Sequence, residues 1–274
     1  MGSPPKRARG RPKSLFHPPQ PSTIRALDKG LTVLKELARS GAVTLSELAE
    51  SIDMPPSSTH RILTTLQHQG FAELDDTTQQ WSIGIEAFRA GSAYLVRSNL
   101  VEAAMKTMRR LMEETGETAN LAIADAGDVV FIAQVEAHNP IRAFFRPGTR
   151  GPLHSSGIGK ALLASMQSEK AGTIIGNSKL EPHTPKTLSS AEALNADLEA
   201  IRDRGWSLDN EERYLGMRCV AATIYNAFGE PVAGISVSGP TVRFPDNDLE
   251  MIGSKVKDAA DEVTGLIGGA APKR

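Results

Sequence analysis

The chain has 274 residues, a formal net charge of −1 and 40% hydrophobic residues. This hydrophobic content is enough to build the cores of one large or two ordinary domains, so a wholly disordered chain is excluded. The single cysteine excludes an intramolecular disulfide, and no apolar run reaches the roughly 18 residues of a membrane span. The basic N-terminus lacks the apolar stretch of a signal peptide, so we expect a cytoplasmic protein with no membrane partner.

Residues 1–21 are predicted to form a disordered basic arm. Lysines and arginines lie there among glycines and prolines, without any acidic residue. The stretch RGRP at 9–12 places the guanidinium groups of Arg9 and Arg11 on an extended backbone that fits a narrow DNA minor groove. This is the pattern of an AT-hook core, and a solubilising tail is the alternative interpretation.

Residues 22–84 are predicted to form a winged helix-turn-helix. Apolar residues recur at helical spacing over 23–40, and a capping-box pattern at Thr44 and Glu47 begins a short second helix. Pro56 suits the first turn of a third helix. Two strand patterns separated by a polar turn follow and predict the β-hairpin wing.

The N-terminal end of the third helix carries side chains suited to DNA. Hydroxyl, imidazole and guanidinium groups donate hydrogen bonds to base edges and phosphates, and no acidic residue lies between Met54 and Ala72. A winged helix that binds another protein is the alternative. With the two arginines of the arm, the candidate residues for binding double-stranded DNA are Ser57, Ser58, Thr59, His60 and Arg61.

Residues 85–97 are predicted to form a linker helix, and residues 98–270 a second, α+β domain. After a helix capped by Asn99, the patterns predict strands at 118–125, 129–136 and 141–146, helices near 156–166 and 190–204, strands at 216–225 and 231–238, and a closing helix over 246–266. An antiparallel sheet with helices on its faces indicates a sensor-like domain.

The stretch GTRGPLHSSGIGKALLA at 148–164 is similar at first sight to a phosphate-binding loop. It fails the pattern, because His154 and Ala161 stand where a glycine and a hydroxyl residue are required. What remains is a turn entering a helix, whose first free amides belong to Gly157 and Ile158 and point at an incoming anion. A carboxylate would suit them.

Small polar side chains collect on one face of two predicted strands. Met217 and Cys219 share a face of the first strand, and Ser236 and Ser238 share a face of the second. A thiol and two hydroxyls are costly in a dry core, and an oxygen-rich ligand would satisfy them. Asp209 precedes this hairpin and could accept a hydrogen bond from such a ligand.

Other interpretations of Cys219 stay open at this stage. His154, Cys219 and Asp209 could form the set of a cysteine-dependent hydrolase, although no local nucleophile motif surrounds the cysteine. A buried core residue is also a common role for a free cysteine. We expect no metal site, because the six scattered histidines and one cysteine show no ligand spacing.

The motifs resemble those of the IclR family of bacterial transcription regulators. TLSELAESIDMPPSSTHRILTTLQHQGF is similar to that family's helix-turn-helix, and RGRP arms are frequent there. GPLHSSGIGKALLA and LDNEERYLGMRCVAATIYNAFGEPVAGISVSGP are similar to the two signature stretches of its effector domain. The resemblance extends from Thr23 onward and implies a winged helix, a linker helix and a GAF/profilin-like effector-binding domain, without a cofactor.

The resemblance also implies a function. It indicates a DNA-binding regulator of a carbon-assimilation operon, not an enzyme, acting on operator DNA as a homodimer or homotetramer. The chain is similar to regulators of glyoxylate assimilation through the β-hydroxyaspartate cycle. Family members that sense glyoxylate or related oxo acids hold the ligand with two loop amides, an aspartate, a cysteine and two serines, and these roles fall here on Gly157, Ile158, Asp209, Cys219, Ser236 and Ser238. Gly157 replaces the usual alanine, and Thr223 replaces a frequent proline.

Overall fold

The structure, a computed structural model, describes residues 23–272. The chain divides into two compact units, and the boundary between them falls between Ala93 and Tyr94. The predicted arm, with Arg9 and Arg11, lies outside the described residues. Within the described part of the chain, no helix is both long enough and apolar enough to cross a membrane.

The N-terminal unit is the predicted winged helix-turn-helix. Its elements are α1 (Arg25–Ser40), β1 (Val43–Thr44), α2 (Leu45–Ser51), α3 (Pro56–His68), β2 (Ala72–Asp75), β3 (Gln80–Ile83) and the start of α4 (Ile85–Ser98). The predicted capping box begins α2, since the Thr44 and Glu47 side chains each accept from the other's backbone amide. Leu37, Leu63 and Trp81 form part of a buried core between the helices and the antiparallel sheet, whose strand order is β1-β3-β2.

The C-terminal unit is built on a six-stranded antiparallel sheet of order β6-β5-β4-β9-β8-β7. Its elements are α5 (Leu100–Thr115), β4 (Thr118–Asp125), β5 (Asp128–Val135), β6 (Arg150–Pro152), α6 (Gly157–Ser165), α7 (Ser168–Asn177), α8 (Ala191–Arg204), β7 (Ser207–Asn210), β8 (Met217–Tyr225), β9 (Pro231–Pro240) and α9 (Leu249–Leu266). This arrangement confirms the predicted α+β class.

The sheet has a helix layer on each face, so its central strands are buried on both sides. Val220, Ile224 and Val237 pack against α5 and α9 in one hydrophobic core. Ala221 faces the opposite way, into a second core with residues of α6 and α8. Alternation along β8 therefore directs its odd-numbered residues toward α6, as the sequence pattern predicts.

The predicted strand at 141–146 is wrong. That segment is an irregular connection, and the partner of β5 is instead β6, at 150–152. Gly148, with φ of +89°, turns the chain there, and its amide donates to the Phe131 carbonyl at 2.7 Å. The hydrogen bonds at the edge of β5 are thus made by the residues after the turn. Helix α7 and strand β7 were not predicted.

Two glycines of α9 provide a test of the packing between this helix and the sheet. A Cβ atom on Gly253 would lie 2.3 Å from Cε2 of the Trp206 indole, whereas one on Gly265 would meet nothing within 4 Å. We expect Gly253→Ala to destabilise the C-terminal unit by about 1–3 kcal/mol through overpacking. Gly265→Ala is the matched control, and should leave stability unchanged or raise it by up to about 1 kcal/mol. Equal unfolding midpoints in urea for the two variants would contradict this packing.

Candidate functional site

The exposed face of α3 carries a row of polar side chains. Ser57, His60 and Arg61 are exposed, as the sequence predicts, and Ser58 is half-buried. Helical spacing continues this face to Thr64, which is also exposed and which sequence reasoning missed. Pro55 provides no side-chain cap and Pro56 has no amide proton, while the Ser58 amide donates to the Pro55 carbonyl at 2.9 Å, so the Ser57 amide is the donor that the first turn adds at this end.

Thr59 does not belong to this surface. Its side chain is fully buried, and its hydroxyl donates to the Pro55 carbonyl at 3.2 Å. The prediction that it contacts DNA is therefore corrected, because the helix turns this position toward the core. His60 stays on the exposed side, and its ring meets the edge of the Trp81 ring of β3 at 6.3 Å between centroids. The helix and the wing thus contact each other through this pair.

Three strands of the C-terminal sheet bring the predicted ligand-binding side chains into one row. Cys219 of β8 lies opposite Asp209 of β7 on one side and opposite Ser238 of β9 on the other. These three residues, together with Gly157 and Met217, line a cavity of about 60 Å³. Strand alternation therefore predicted the shared face correctly.

Two predicted residues lie just outside the lining of this cavity. Ser236 is one step along the same face, opposite Ala221, and is fully buried. Its hydroxyl has no hydrogen-bond partner among the described residues. The Ile158 side chain belongs to the hydrophobic core beneath α6, so only its backbone amide is available for a ligand.

The N-terminus of α6 faces Cys219 closely. Ser156 caps the helix by accepting from the Gly159 amide at 3.4 Å, which leaves the amides of Gly157 and Ile158 without an acceptor inside the helix. A Cβ atom on Gly157 would lie 2.8 Å from the Cys219 sulfur. Glycine at this position thus lets the helix end approach the strand. The Ser207 hydroxyl donates to the Gly157 carbonyl at 2.6 Å and fixes this approach.

A buried amide positions the Ser238 hydroxyl. Asn120 of β4 donates from its Nδ2 to Ser238 Oγ at 3.2 Å, and Gln134 in turn donates to Asn120 Oδ1 at 2.8 Å. Ser238 Oγ thus accepts one hydrogen bond, and its hydroxyl can also act as a donor. Sequence reasoning missed Asn120. The signal that could have found it is an amide side chain within the mainly apolar stretch of β4.

Asp209 is a buried carboxyl group beside a larger charge cluster. Burial, and the negative charge of nearby Glu212, raise the pKa of Asp209 to about 7, although the Glu212 amide donates to its Oδ1 at 2.7 Å. The fully buried Lys160 ammonium lowers the Asp209 pKa only in part, while it binds Glu212, Asp197 Oδ2 at 2.7 Å and the Leu208 carbonyl at 2.6 Å. Near neutral pH, Asp209 therefore exists in both protonated and ionised forms.

The same surroundings make Cys219 a poor nucleophile. Burial, with the Asp209 charge as a second cause, raises the pKa of the thiol to about 11. Reactive cysteines have lowered pKa values, because the thiolate is the attacking species. His154 does not lie in this cavity either, since its Nε2 contacts the Glu181 carbonyl at 3.1 Å and its ring stacks on His183. The structure thus does not assemble the cysteine–histidine–carboxylate set.

Aromatic and cationic side chains complete the cavity. Phe131 and Phe145 stack with their ring centroids 4.4 Å apart and form an apolar wall. Arg213 and Tyr214 lie at the cavity as well, and the guanidinium of Arg213 donates to the His183 ring. None of these four was predicted. Phe145 falls in the segment that the sequence pattern assigned to a strand, which hid its role.

Comparisons with known proteins match both units. Residues 26–76 match the IclR helix-turn-helix domain, and residues 92–264 match the family described as bacterial transcriptional regulator IclR C-terminal. The HTH-type transcriptional regulator BhcR of Paracoccus denitrificans is 51% identical over 92% of this chain and 89% of its own length.

Less similar proteins of the same family also match this chain over most of its length. The transcriptional repressor IclR of Escherichia coli is 40% identical over 95% of this chain and 96% of its own length. The crystal structure of Thermotoga maritima IclR, at 31% identity, covers 89% of this chain and 99% of its own, with a TM-score of 0.74. The chain belongs to the IclR family of bacterial transcriptional regulators, whose DNA-binding and effector-binding parts correspond to the two units described here.

Proposed function

We propose that this regulator senses a small oxo acid, with glyoxylate as the favoured effector, and controls a carbon-assimilation operon. One observation carries the proposal. The cavity and the start of α6 beside it combine the amides of Gly157 and Ile158, the Ser238 hydroxyl, a neutral thiol and a carboxyl group that can keep a proton near neutral pH. A molecule that offers a carboxylate at one end and a carbonyl oxygen at the other satisfies this set.

The size of the cavity limits the effector. A water molecule needs roughly 10–15 Å³ of such space, so about 60 Å³ holds only a few non-hydrogen atoms. An acid of two to four carbons fits, and a larger ring does not fit without movement of the wall formed by Phe131 and Phe145.

We infer distinct roles for the site residues. The carboxylate lies at the amides of Gly157 and Ile158, where the positive end of α6 favours an anion. Ser238 donates to a ligand oxygen, with Ser236 behind it, and Cys219 and Met217 form the floor. The carboxyl group of Asp209, when protonated, donates to the carbonyl end of the ligand. Cys219 performs no covalent chemistry in this proposal.

For DNA, we propose that the exposed face of α3 enters the major groove of the operator. Ser57, Ser58, His60 and Arg61 supply the side-chain donors, and the Ser57 amide at the helix start suits a phosphate. The arm adds affinity through Arg9 and Arg11 without much sequence choice. These arm contacts rest on the sequence alone.

We further propose that the regulator acts as a homodimer or homotetramer. The N-terminal unit leaves an apolar stripe of α1 exposed, formed by Ile24, Leu27 and Leu31. Such a stripe is typical of a surface that a partner covers. Paired recognition helices would read two half-sites of an operator, as dimeric helix-turn-helix proteins do.

Replacing Arg61 tests the DNA surface. Arg61→Ala should weaken operator binding by about 1–3 kcal/mol and relax the preference for one base, because a bidentate contact is lost. Mobility-shift assays with operator variants measure both effects. Arg39→Ala removes another exposed arginine, from α1, and is the matched control. The assignment of Arg61 to the DNA surface fails if the Arg61→Ala and Arg39→Ala proteins bind every operator sequence with equal affinity.

Replacing cavity side chains tests the effector site. Ser238→Ala should weaken glyoxylate binding by about 1–3 kcal/mol, because Asn120 and the ligand each lose a partner. Cys219→Ser keeps size and polarity, so measurable affinity should remain. Titration calorimetry gives the affinities, with the exposed Ser254→Ala as control. A covalent adduct on Cys219 in intact-mass spectra, linked to turnover of small esters or amides, would favour a hydrolase instead.

The pH dependence of effector binding tests the role of Asp209. Its pKa of about 7 means that raising the pH through neutrality removes the proton donor and places a negative charge beside an anionic ligand. Affinity for glyoxylate should therefore fall as the pH rises through about 7. Asp209→Asn keeps a donor at all pH values, so its affinity should vary less. Calorimetric titrations of the wild type and of Asp209→Asn across this pH range measure the two affinities. A rise of wild-type affinity with pH would disprove the role of Asp209.

A further inference from the structure

The arginines that line the effector cavity differ in their partners. Arg150, Arg213 and Arg218 all contribute to the lining. Arg150 binds two aspartates, at 2.8 and 3.0 Å, and Arg218 binds Asp246 at 2.7 Å. Arg213 forms no ion pair with a carboxylate among residues 23–272, and its hydrogen-bond partner is a histidine ring. Of the three, Arg213 therefore keeps a positive charge that no neighbouring carboxylate in the described chain offsets.

Two aromatic rings hold the Arg213 side chain at the cavity. Its Nη1 donates to the His183 ring, 2.7 Å from Nε2, and its guanidinium carbon lies 5.5 Å from the centre of the Tyr214 ring. Burial, and then the charge of Arg213, lower the pKa of His183, so the ring is neutral near neutral pH and can accept this hydrogen bond.

The remaining nitrogens of this guanidinium are available. Nε and Nη2 of Arg213 make no hydrogen bond within the described part of the chain, and neither is a buried atom. The residue as a whole is half-exposed. A guanidinium presents its donors in a planar fork that matches the two oxygens of a carboxylate. Arg213 can therefore bind an anionic group at the rim of the cavity.

Arg213 lies at the carbonyl end of the proposed effector position. Its backbone amide contacts the carboxyl group of Asp209, which is the proposed donor to the carbonyl oxygen. The carboxylate of the effector lies at the other end, at the amides of Gly157 and Ile158. A substituent on the carbonyl carbon extends away from α6, on the side where Arg213 lies.

The lining does not oppose a second negative charge there. Asp209 is the one acidic residue among the described residues that line the cavity. Burial raises its pKa to about 7, so it can keep its proton beside an anion. Because Arg213 is half-exposed, a carboxylate bound to it lies at the rim and occupies little of the 60 Å³ inside.

We propose that Arg213 lets the effector site take a four-carbon oxo dicarboxylate as well as glyoxylate, an inference that rests on the proposed function of the cavity. The first carboxylate lies at the α6 amides, and the carbonyl oxygen accepts from Asp209. The second carboxylate accepts from Nε and Nη2 of Arg213. Glyoxylate has no second carboxylate, so it binds without this contact.

Oxaloacetate and 2-oxobutanoate are matched probes, because both have four carbons and a 2-oxo group and only oxaloacetate has a second carboxylate. In titration calorimetry on the full chain, the wild type should bind freshly dissolved oxaloacetate about tenfold more tightly than 2-oxobutanoate. Arg213→Gln should lose this preference, because the charge and the fork are removed. Its affinity for glyoxylate should stay within about threefold of the wild type, because a half-exposed charge without a direct contact is screened.

Lys179→Gln is the matched control. It removes the same charge from an exposed position that lies outside the lining of the effector cavity. This variant should keep the wild-type preference for oxaloacetate. The unfolding temperature of each variant confirms that it is folded.

Three results would overturn the inference. They are a wild-type affinity for oxaloacetate no higher than that for 2-oxobutanoate, a preference that Arg213→Gln retains, and an equal loss of glyoxylate and oxaloacetate affinity in Arg213→Gln. The last result would mean that Arg213 attracts any anion without selecting one. If glyoxylate binds and oxaloacetate does not, this inference fails alone, and if neither binds, the proposed function of the cavity fails with it.

Discussion

The effector domain depends on the buried ion pairs of Lys160. An ammonium group without water costs several kcal/mol unless it is paired and hydrogen-bonded. Here its acceptors come from three separate segments, namely Asp197 of α8, Leu208 of β7 and Glu212 of the following turn. Because all three bind one fully buried group on α6, they hold the helix in place against the edge of the sheet. The amides at the start of α6 are thereby fixed against Asp209 and Cys219.

This cluster also sets the electrostatics of the cavity. Burial, followed by the charge of Glu212, raises the pKa of Asp209 to about 7, and Lys160 offsets this only in part while it pairs with Glu212 and Asp197. Burial is also the main cause that keeps the Cys219 thiol neutral, and the charge of Asp209 is the second. The cavity therefore offers an anion neutral donors and helix amides, whereas a nucleophilic site would require the opposite shift of the thiol pKa. These charges support the proposed binding role and argue against nucleophilic attack by Cys219.

Local patterns predicted the parts of the fold that depend on nearest neighbours. The capping box at Thr44, the face shared by Cys219 and Ser238, and the break at Pro56 all follow from periodicity and caps. The pairs of Lys160 could not be predicted, since its carboxylate partners lie 37 and 52 residues away. The composition of segment 141–146 predicts a strand. The chain turns at Gly148, however, so β6 pairs with the edge of β5 instead. Thr59 was misplaced because exposure of a helix end depends on which side the core occupies.

Helix α6 links the effector cavity to the interior of its unit. Every residue from Gly157 to Ala164 is buried, so the helix is packed on all sides. Packed interiors shift between discrete arrangements rather than deforming gradually. A ligand at the start of α6 can therefore act on the rest of the unit only as far as it prefers one position of this helix.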